Sequence, residues 1–237
     1  MTLFITRRAA LALTTALIAA RSFAAAPPLK IATIGAGNIG RTLGGVWAKG
    51  GHPVMLSSRH PEALKDAVAA MGPNAIAGTV AEAVAFADVI LLAVPYGAMP
   101  AIAKEHAKAL ASKVLVFDAT NPFPDRDGAI AEEALKLGAG RHTAKLLPGA
   151  HIVRAFNAIA AARFGEGGRS ATGARIGIPI ASDDGNALGV AGDLIRETGF
   201  EPVPVGGLDF GKHLRPGTAL AGEHAPREIR RIAATLT

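Results

Sequence analysis

The sequence predicts a doubly wound α/β fold on a parallel sheet, and three observations carry that prediction. Apolar runs suited to strands covered on both faces recur at Ile31–Ile34, Val89–Val94 and Lys113–Phe117. Amphipathic stretches of helical period stand between such runs, giving a β-α alternation. Gly35, Gly37 and Gly40 stand at G-x-G-x-x-G spacing directly after the first run.

Taken in order, the first strand is Ile31–Ile34 and the first helix Ile39–Lys49, which Gly50-Gly51 stops. The glycines between them have separate tasks. The first permits the tight turn, the second lets backbone approach a pyrophosphate, and the third lets helix and strand pack closely. Phosphates would rest on the helix N-terminus, where free N–H groups point outward. The residues placed there are Gly35, Ala36, Gly37, Asn38, Ile39 and Gly40.

A second strand, Val54–Leu56, leads to Ser57-Ser58-Arg59. A site for NAD usually has a carboxylate here, to bind the ribose 2′-hydroxyl. None precedes Glu62. Two hydroxyls and a guanidinium suit a 2′-phosphate instead, since Arg binds phosphate oxygens in bidentate fashion. The alternative is a solvated polar loop. The expected cofactor is therefore NADP.

Pro61–Met71 reads as a helix with Pro in its first turn, and Ile76-Ala77 as a short strand. Thr79 would cap the helix Val80–Ala87, with Glu82 at the capping-box position. The run Val89–Val94 ends at Pro95-Tyr96-Gly97. A helix over Met99–Leu110 follows, then the strand Lys113–Phe117, closing on Asp118-Ala-Thr-Asn121-Pro122. Ligands in such sheets bind beyond the carboxyl ends of the strands. Gly35–Gly40, Val94–Gly97 and Thr120–Pro122 should meet there.

Pro124–Gly128 is turn chemistry, with Asp125, Arg126 and Asp127 read as solvated, and Ala129–Leu137 is a helix. The remainder reads as strand His151–Phe156, a helical or looped stretch Asn157–Phe164, and a glycine-rich loop Gly165–Gly173. Strand Ile176–Ala181, helix Asn186–Thr198, strand Pro202–Val205 and an amphipathic tail helix Ala225–Leu236 complete it. Pro179 argues for an edge strand. No internal repeat or second domain is found.

Of the 237 residues, 50% are hydrophobic and 19% charged, enough for one well-packed core. Residues 1–26 hold Arg7, Arg8 and Arg21 and no acid. Without those three, 22 basic residues face 19 acidic ones, too mild a balance to argue for nucleic acid. The same stretch reads as an export signal. Arg7-Arg8 precede a short apolar run, Ala9–Ala20, and the small residues Ala24–Ala26 come before Pro27-Pro28. The pair resembles a twin-arginine signal. An ordinary secretory signal or an uncleaved anchor are the alternatives. The expectation is an exported or periplasmic protein with domain 27–237 and no stable membrane span once the signal is removed. The absence of Cys excludes disulfides, thiolate metal sites and a Cys nucleophile.

With these residues in view, the chain resembles the deazaflavin (coenzyme F-420)-dependent NADP oxidoreductases. It is also similar to the oxidoreductase domain of the six-transmembrane metalloreductases. The resemblance rests on Ile34–Gly40, Ser58-Arg59, Val94-Pro95-Tyr96, Arg154–Phe164 and Ile178–Asp184, and spans residues 29 to about 210. It implies a Rossmann-type domain with NADP on Gly35–Gly40 and the 2′-phosphate at Ser58 and Arg59. It implies nicotinamide near Pro95, Tyr96, Asn121, Asn157 and Ala158. A flavin or deazaflavin co-substrate would be the acceptor. The sequence after Gly206 departs from the family pattern.

Hydride transfer between two rings is a matter of stacking and distance, so no acid–base dyad is required. The seven His residues are scattered and form no i, i+4 pair, which argues against a metal site. His151 reads as a structural residue at a strand end and Trp47 as packing; Arg163 could meet an acceptor phosphate or sit on the surface. Three functions fit: an NADP(H) oxidoreductase with a (deaza)flavin or other small-molecule redox acceptor, a reductase of a small imine or keto acid, or a non-enzymatic NADP-binding module. The second needs a large helical C-terminal domain, and only 31 residues follow Gly206 unless a homodimer supplies the wall.

Overall fold

The computed structural model describes residues 27–236. The proposed export signal lies outside them. Strands β1 (Ile31–Ile34), β2 (Val54–Ser57), β3 (Ala75–Gly78), β4 (Val89–Leu92), β5 (Leu115–Asp118), β6 (Ile152–Arg154), β7 (Gly177–Ala181) and β8 (Glu201–Gly206) form one sheet in the order β3-β2-β1-β4-β5-β6-β7-β8. The chain leaves β1 in one direction and returns from β3 to β4 on the other side. The gap between β1 and β4 is thus a switch point, where a crevice opens at the carboxyl edge.

Helices cover both faces. One face carries α1 (Asn38–Lys49), α2 (Lys65–Met71) and α8 (Gly185–Glu197), packed through Leu43, Trp47, Met71 and Leu194. The other carries α3 (Val80–Phe86), α4 (Met99–Leu110), α6 (Ala129–Leu137) and α7 (Ala139–Leu146), packed through Val84, Met99, Ile102 and Ala134. The short α5 is Pro124–Asp127, and the tail helix α9 is Pro226–Ala233. Burial of strands β1, β2, β4 and β5 along their whole length matches the apolar runs that predict them. Thr79 caps α3 in a full capping box with Glu82.

Three readings are corrected. Pro61–Met71 begins as a 3-10 turn over Pro61–Leu64 before turning α-helical. The sheet is mixed, because β7 runs antiparallel to β6. No α-helix separates β6 from β7 to carry the chain back across the sheet, so it re-enters from the edge where β6 ended. Pro179 lies in an interior strand, yet its position is edge-like. The only β6–β7 partner pair is Arg154 with Ala181, so Pro179 overhangs the end of β6. The true edge is β8. There the Glu201 N–H donates to the Ile176 carbonyl, and by alternation Pro202 and Pro204 aim their missing donors outward.

Phe156, directly after β6, has φ 67°, the one positive value on a non-glycine residue among those described. Aromatic packing enforces it. Its ring lies 5.4 Å from Phe117 and 5.2 Å from Phe164, and Trp47 is edge-on at 6.3 Å. This turn lifts the chain onto the carboxyl edge, where residues 157–165 remain.

Candidate functional site

The turn after β1 is built as the glycine spacing requires. Gly35 has φ +111°, and a Cβ there would meet the Ala93 carbonyl oxygen at 2.4 Å. A Cβ on Gly40 would meet the Gly35 carbonyl oxygen at 2.0 Å. Both positions exclude any side chain for internal reasons. Gly37 differs, since a Cβ on it would meet nothing within 4 Å. It is exposed, with Asn38, at the start of α1, where no acidic residue occupies the first turn. The open backbone there is a cradle that a side chain would fill and a phosphate can use. The residues present therefore fit a dinucleotide.

A cleft of about 570 Å³ opens beside this turn. Its walls bring together Gly35, Ala36, Ser57, Ser58, Arg59, Val94 and Pro95, drawn from the carboxyl ends of three strands. It continues along α4 to Glu105 and His106. Within the expected phosphate cluster the three residues separate. Ser57 is fully buried and donates its hydroxyl to the Thr33 carbonyl at 2.8 Å, which makes it a strut. Ser58 is half-buried, and Arg59 is exposed with no ion-pair partner among the described residues. Those two remain for a 2′-phosphate.

Of the residues expected around nicotinamide, Pro95 lines the cleft, whereas Tyr96, Asn121, Asn157 and Ala158 lie away from it. Tyr96 is corrected: its side chain is fully buried, and its hydroxyl lies 3.0 Å from His142 Nδ1 and 3.2 Å from Thr143 Oγ1 on α7. It supports the Pro95 loop from beneath and presents no polar atom to the carboxyl edge. Burial first, then the Asp118 charge, push its phenol upward, so it stays neutral. Asn121 has its amide committed at both ends. Nδ2 donates to the Asn157 carbonyl at 2.9 Å, and Oδ1 accepts from Arg154 Nη2 at 3.3 Å. Asn157 is buried and donates Nδ2 to the Thr120 carbonyl at 2.9 Å, while its Oδ1 is without a partner. Ala158 is buried, and its carbonyl accepts from Gly222 N–H at 2.8 Å.

Beneath these loops sits a polar network that the sequence reading does not contain. Asp118 and Arg154 are fully buried and paired at 2.9 Å. Arg154 also donates to the carbonyls of Thr120, Gly211 and Leu214. Asp118 accepts from Thr143 Oγ1 at 2.9 Å and from both the amide and the hydroxyl of Thr120. Arg154 thus staples the ends of β5 and β6 to residues 208–214. A charged residue inside an apolar strand, Arg154 in Ile152-Val-Arg-Ala-Phe156, was the available signal.

Asp127 is a second correction. Its carboxylate is buried, not solvated, and accepts from the N–H groups of Gly97 (3.1 Å) and Phe123 (3.0 Å). Burial pushes its carboxyl up, but bonds from Arg126, Phe123 and Gly97 outweigh that and hold it at about 2. It ties the Pro95 loop to the Asn121 loop. His151 meets Asp184, the cap of α8, and Trp47 donates to the Leu194 carbonyl at 3.0 Å; both are structural, as the sequence suggests. Arg163 is paired with Glu166 and Glu223. Among the described residues no cluster of three His, Asp or Glu could hold a metal.

Residues 30–122 match the family model of NADP oxidoreductase, coenzyme F-420-dependent. A hypothetical protein of Sinorhizobium meliloti is 27% identical, over 81% of this chain and 93% of its own, with TM-score 0.65. A putative F-420-dependent NADP reductase of Arthrobacter sp. FB24 has the same TM-score at 23% identity, over 78% of this chain and 87% of its own. An imine reductase from Pseudomonas sp. shares the fold at 14% identity and TM-score 0.57, with this chain spanning 56% of its length. No curated protein matches the chain. The glycine turn, the Ser58-Arg59 end of β2 and the Pro95 loop all fall within the segment that matches this family model.

Proposed function

We propose that this NADP-dependent oxidoreductase passes a hydride between nicotinamide and a flavin or deazaflavin ring. The observation that carries the reading is the cleft itself. It joins a phosphate-accepting glycine turn to an unpaired Arg59 at the end of β2, with no carboxylate there to prefer NAD. When bound, NADP(H) would supply the hydride. The chain's part is to hold the pyrophosphate at Gly35–Gly40, the 2′-phosphate at Ser58 and Arg59, and the nicotinamide end over the loops that Asp127 and Arg154 tie down. Asn157, buried beneath this edge, holds the Thr120 carbonyl through its Nδ2 and fixes the loop after β5. The acceptor ring would approach along residues 157–165, where Ala160 and Ala162 are exposed.

A screen of NADPH oxidation against FMN, FAD and the deazaflavin tests the acceptor, and no turnover with any of the three overturns it. Arg59→Ala tests the cofactor. Removing one charge-assisted contact should cost about 1.5–3 kcal/mol of NADP affinity and leave NAD affinity unchanged, as read by calorimetry. Equal losses for both cofactors would refute the assignment. Imine reduction is the weaker reading, because this chain matches little more than half of the imine reductase it resembles.

Export is proposed on Arg7-Arg8, the short apolar run and Ala24–Ala26. Among the described residues no helix is long and apolar enough to cross a membrane. Intact mass of periplasmic protein should give an N-terminus near Pro27. Full-length protein confined to the cytosol would contradict the proposal.

A further inference from the structure

The cleft runs past the 2′-phosphate position, and its continuation has its own chemistry. Ala98, the cap of α4, and Ala101, Ile102 and Glu105 within it line the cleft at positions i, i+3, i+4 and i+7, one stripe of the helix. The stripe is apolar until its last turn, which ends in Glu105 and His106. Val80, at the start of α3, lines it too. The result is a slot with apolar walls and a polar end.

The charges in this slot are arranged unusually. Arg59 and Glu105 line the same cleft but do not pair with each other. The Glu105 carboxylate instead lies 3.7 Å from Nε2 of its neighbour His106. The Glu105 side chain is well exposed, whereas that of His106 is largely covered. A donor-only group and an acceptor-only group in one cleft call for a ligand with an anion at one end and an N–H donor at the other. Two unlike charges left apart in this way can be bridged by such a ligand.

We infer that Glu105 reads the exocyclic amine of adenine, so that the slot selects adenine over a base with a carbonyl at that position. The inference rests on the NADP reading of the cleft. A flat heteroaromatic ring fits between the α4 stripe and Val80, with the 2′-phosphate toward Arg59 and the amine toward Glu105. The carboxylate accepts from the adenine N–H. Hypoxanthine offers an oxygen there instead, and two acceptors face each other. His106, largely covered, forms the floor of the polar end beside Glu105.

The test is calorimetric titration of the whole protein with NADP and with its hypoxanthine analogue. The unaltered protein should bind NADP about tenfold more tightly, a fold-change equal to about 1.4 kcal/mol. Glu105→Gln carries both an acceptor and a donor, and should bring the ratio close to one while NADP still binds. Because Glu105 is exposed, the variant is expected to fold, and circular dichroism would verify this. Equal affinity of the unaltered protein for both nucleotides would overturn base reading and leave the NADP site standing. An unchanged preference in Glu105→Gln would overturn the role of Glu105. Failure of the unaltered protein to bind NADP at all would overturn the cofactor reading and this inference together.

Discussion

His142 is almost wholly buried against Tyr96, and the physics of that position is readable in one titration. Burial pushes its imidazole pKa down; the Glu133 carboxylate, 3.7 Å from Nε2, opposes the shift and Lys145 adds to it. The folded protein therefore holds His142 neutral where the unfolded chain would begin to protonate it, near the ordinary value of about 6.5. Below that pH the unfolded state binds more protons, so stability falls as pH falls and is fully regained above it. His142→Asn keeps a polar group near the Tyr96 hydroxyl but does not titrate. Urea unfolding at pH 7.5 and pH 5.5 should show a loss in the unaltered protein that is smaller in the variant. Identical pH dependence would show that His142 is not the group responsible. Asp118 and Arg154 belong to the same network but play another part. A buried pair is weak evidence for stability in itself. Here each partner carries further bonds to loop backbone, so the pair fixes where the carboxyl edge lies.

At the scale of elements, the glycine turn separates folding from binding. Gly40 and Gly37 are both in the motif, yet a methyl group has opposite consequences at the two. Gly40→Ala drives a Cβ to 2.0 Å from the Gly35 carbonyl, so β1 and α1 must part, with loss of stability as well as binding. Gly37→Ala adds a methyl in open space at φ −77°, which any residue adopts. It should melt normally in a thermal scan while NADP affinity drops roughly tenfold or more, about 1.4 kcal/mol. Full affinity in Gly37→Ala would place the pyrophosphate elsewhere. This part of the molecule was legible in the sequence because motif, apolar runs and capping box are all local signals. The strands β1 to β5 follow the same logic. The site beyond β5 was less legible. Tyr96 follows a strand, which says that it lies near the edge but not that its ring turns inward to α7. Helix α7 itself, Ala139–Leu146, went unread because Gly138 and Gly140 bracket its start and polar residues dominate its pattern. Asp127 read as a turn residue, since the partners that bury its carboxylate include Gly97, 30 positions away. Long-range hydrogen bonds leave no periodic trace.

At the scale of the molecule, the C-terminal third is what sets this chain apart from a bare nucleotide-binding sheet. Strand β7 overhangs β6, and residues 221–225 fill the space beside the overhang: the His224 carbonyl accepts from Gly177 N–H, and Gly222 N–H donates to the Ala158 carbonyl. Leu214 is tied to Arg154 from the same side. One chain therefore builds a wall across the carboxyl edge of β6. Of the alanines near that wall, Ala158 is covered, Ala161 partly covered, and Ala160 and Ala162 exposed. A ring stacking on nicotinamide has to come within roughly 3–3.5 Å for hydride transfer, and only small side chains permit it. Ala160→Trp is then the decisive change. Ala160 precedes the 3-10 turn Ala161–Gly165 in extended backbone, so an indole there displaces no core residue. NADPH-to-flavin turnover should fall at least about tenfold, or about 1.4 kcal/mol in barrier, with NADP affinity and circular dichroism unchanged. Turnover equal to that of the unaltered protein would remove residues 157–165 from the acceptor path. Loss of NADP binding alongside turnover would mean instead that the segment lies under the cofactor itself.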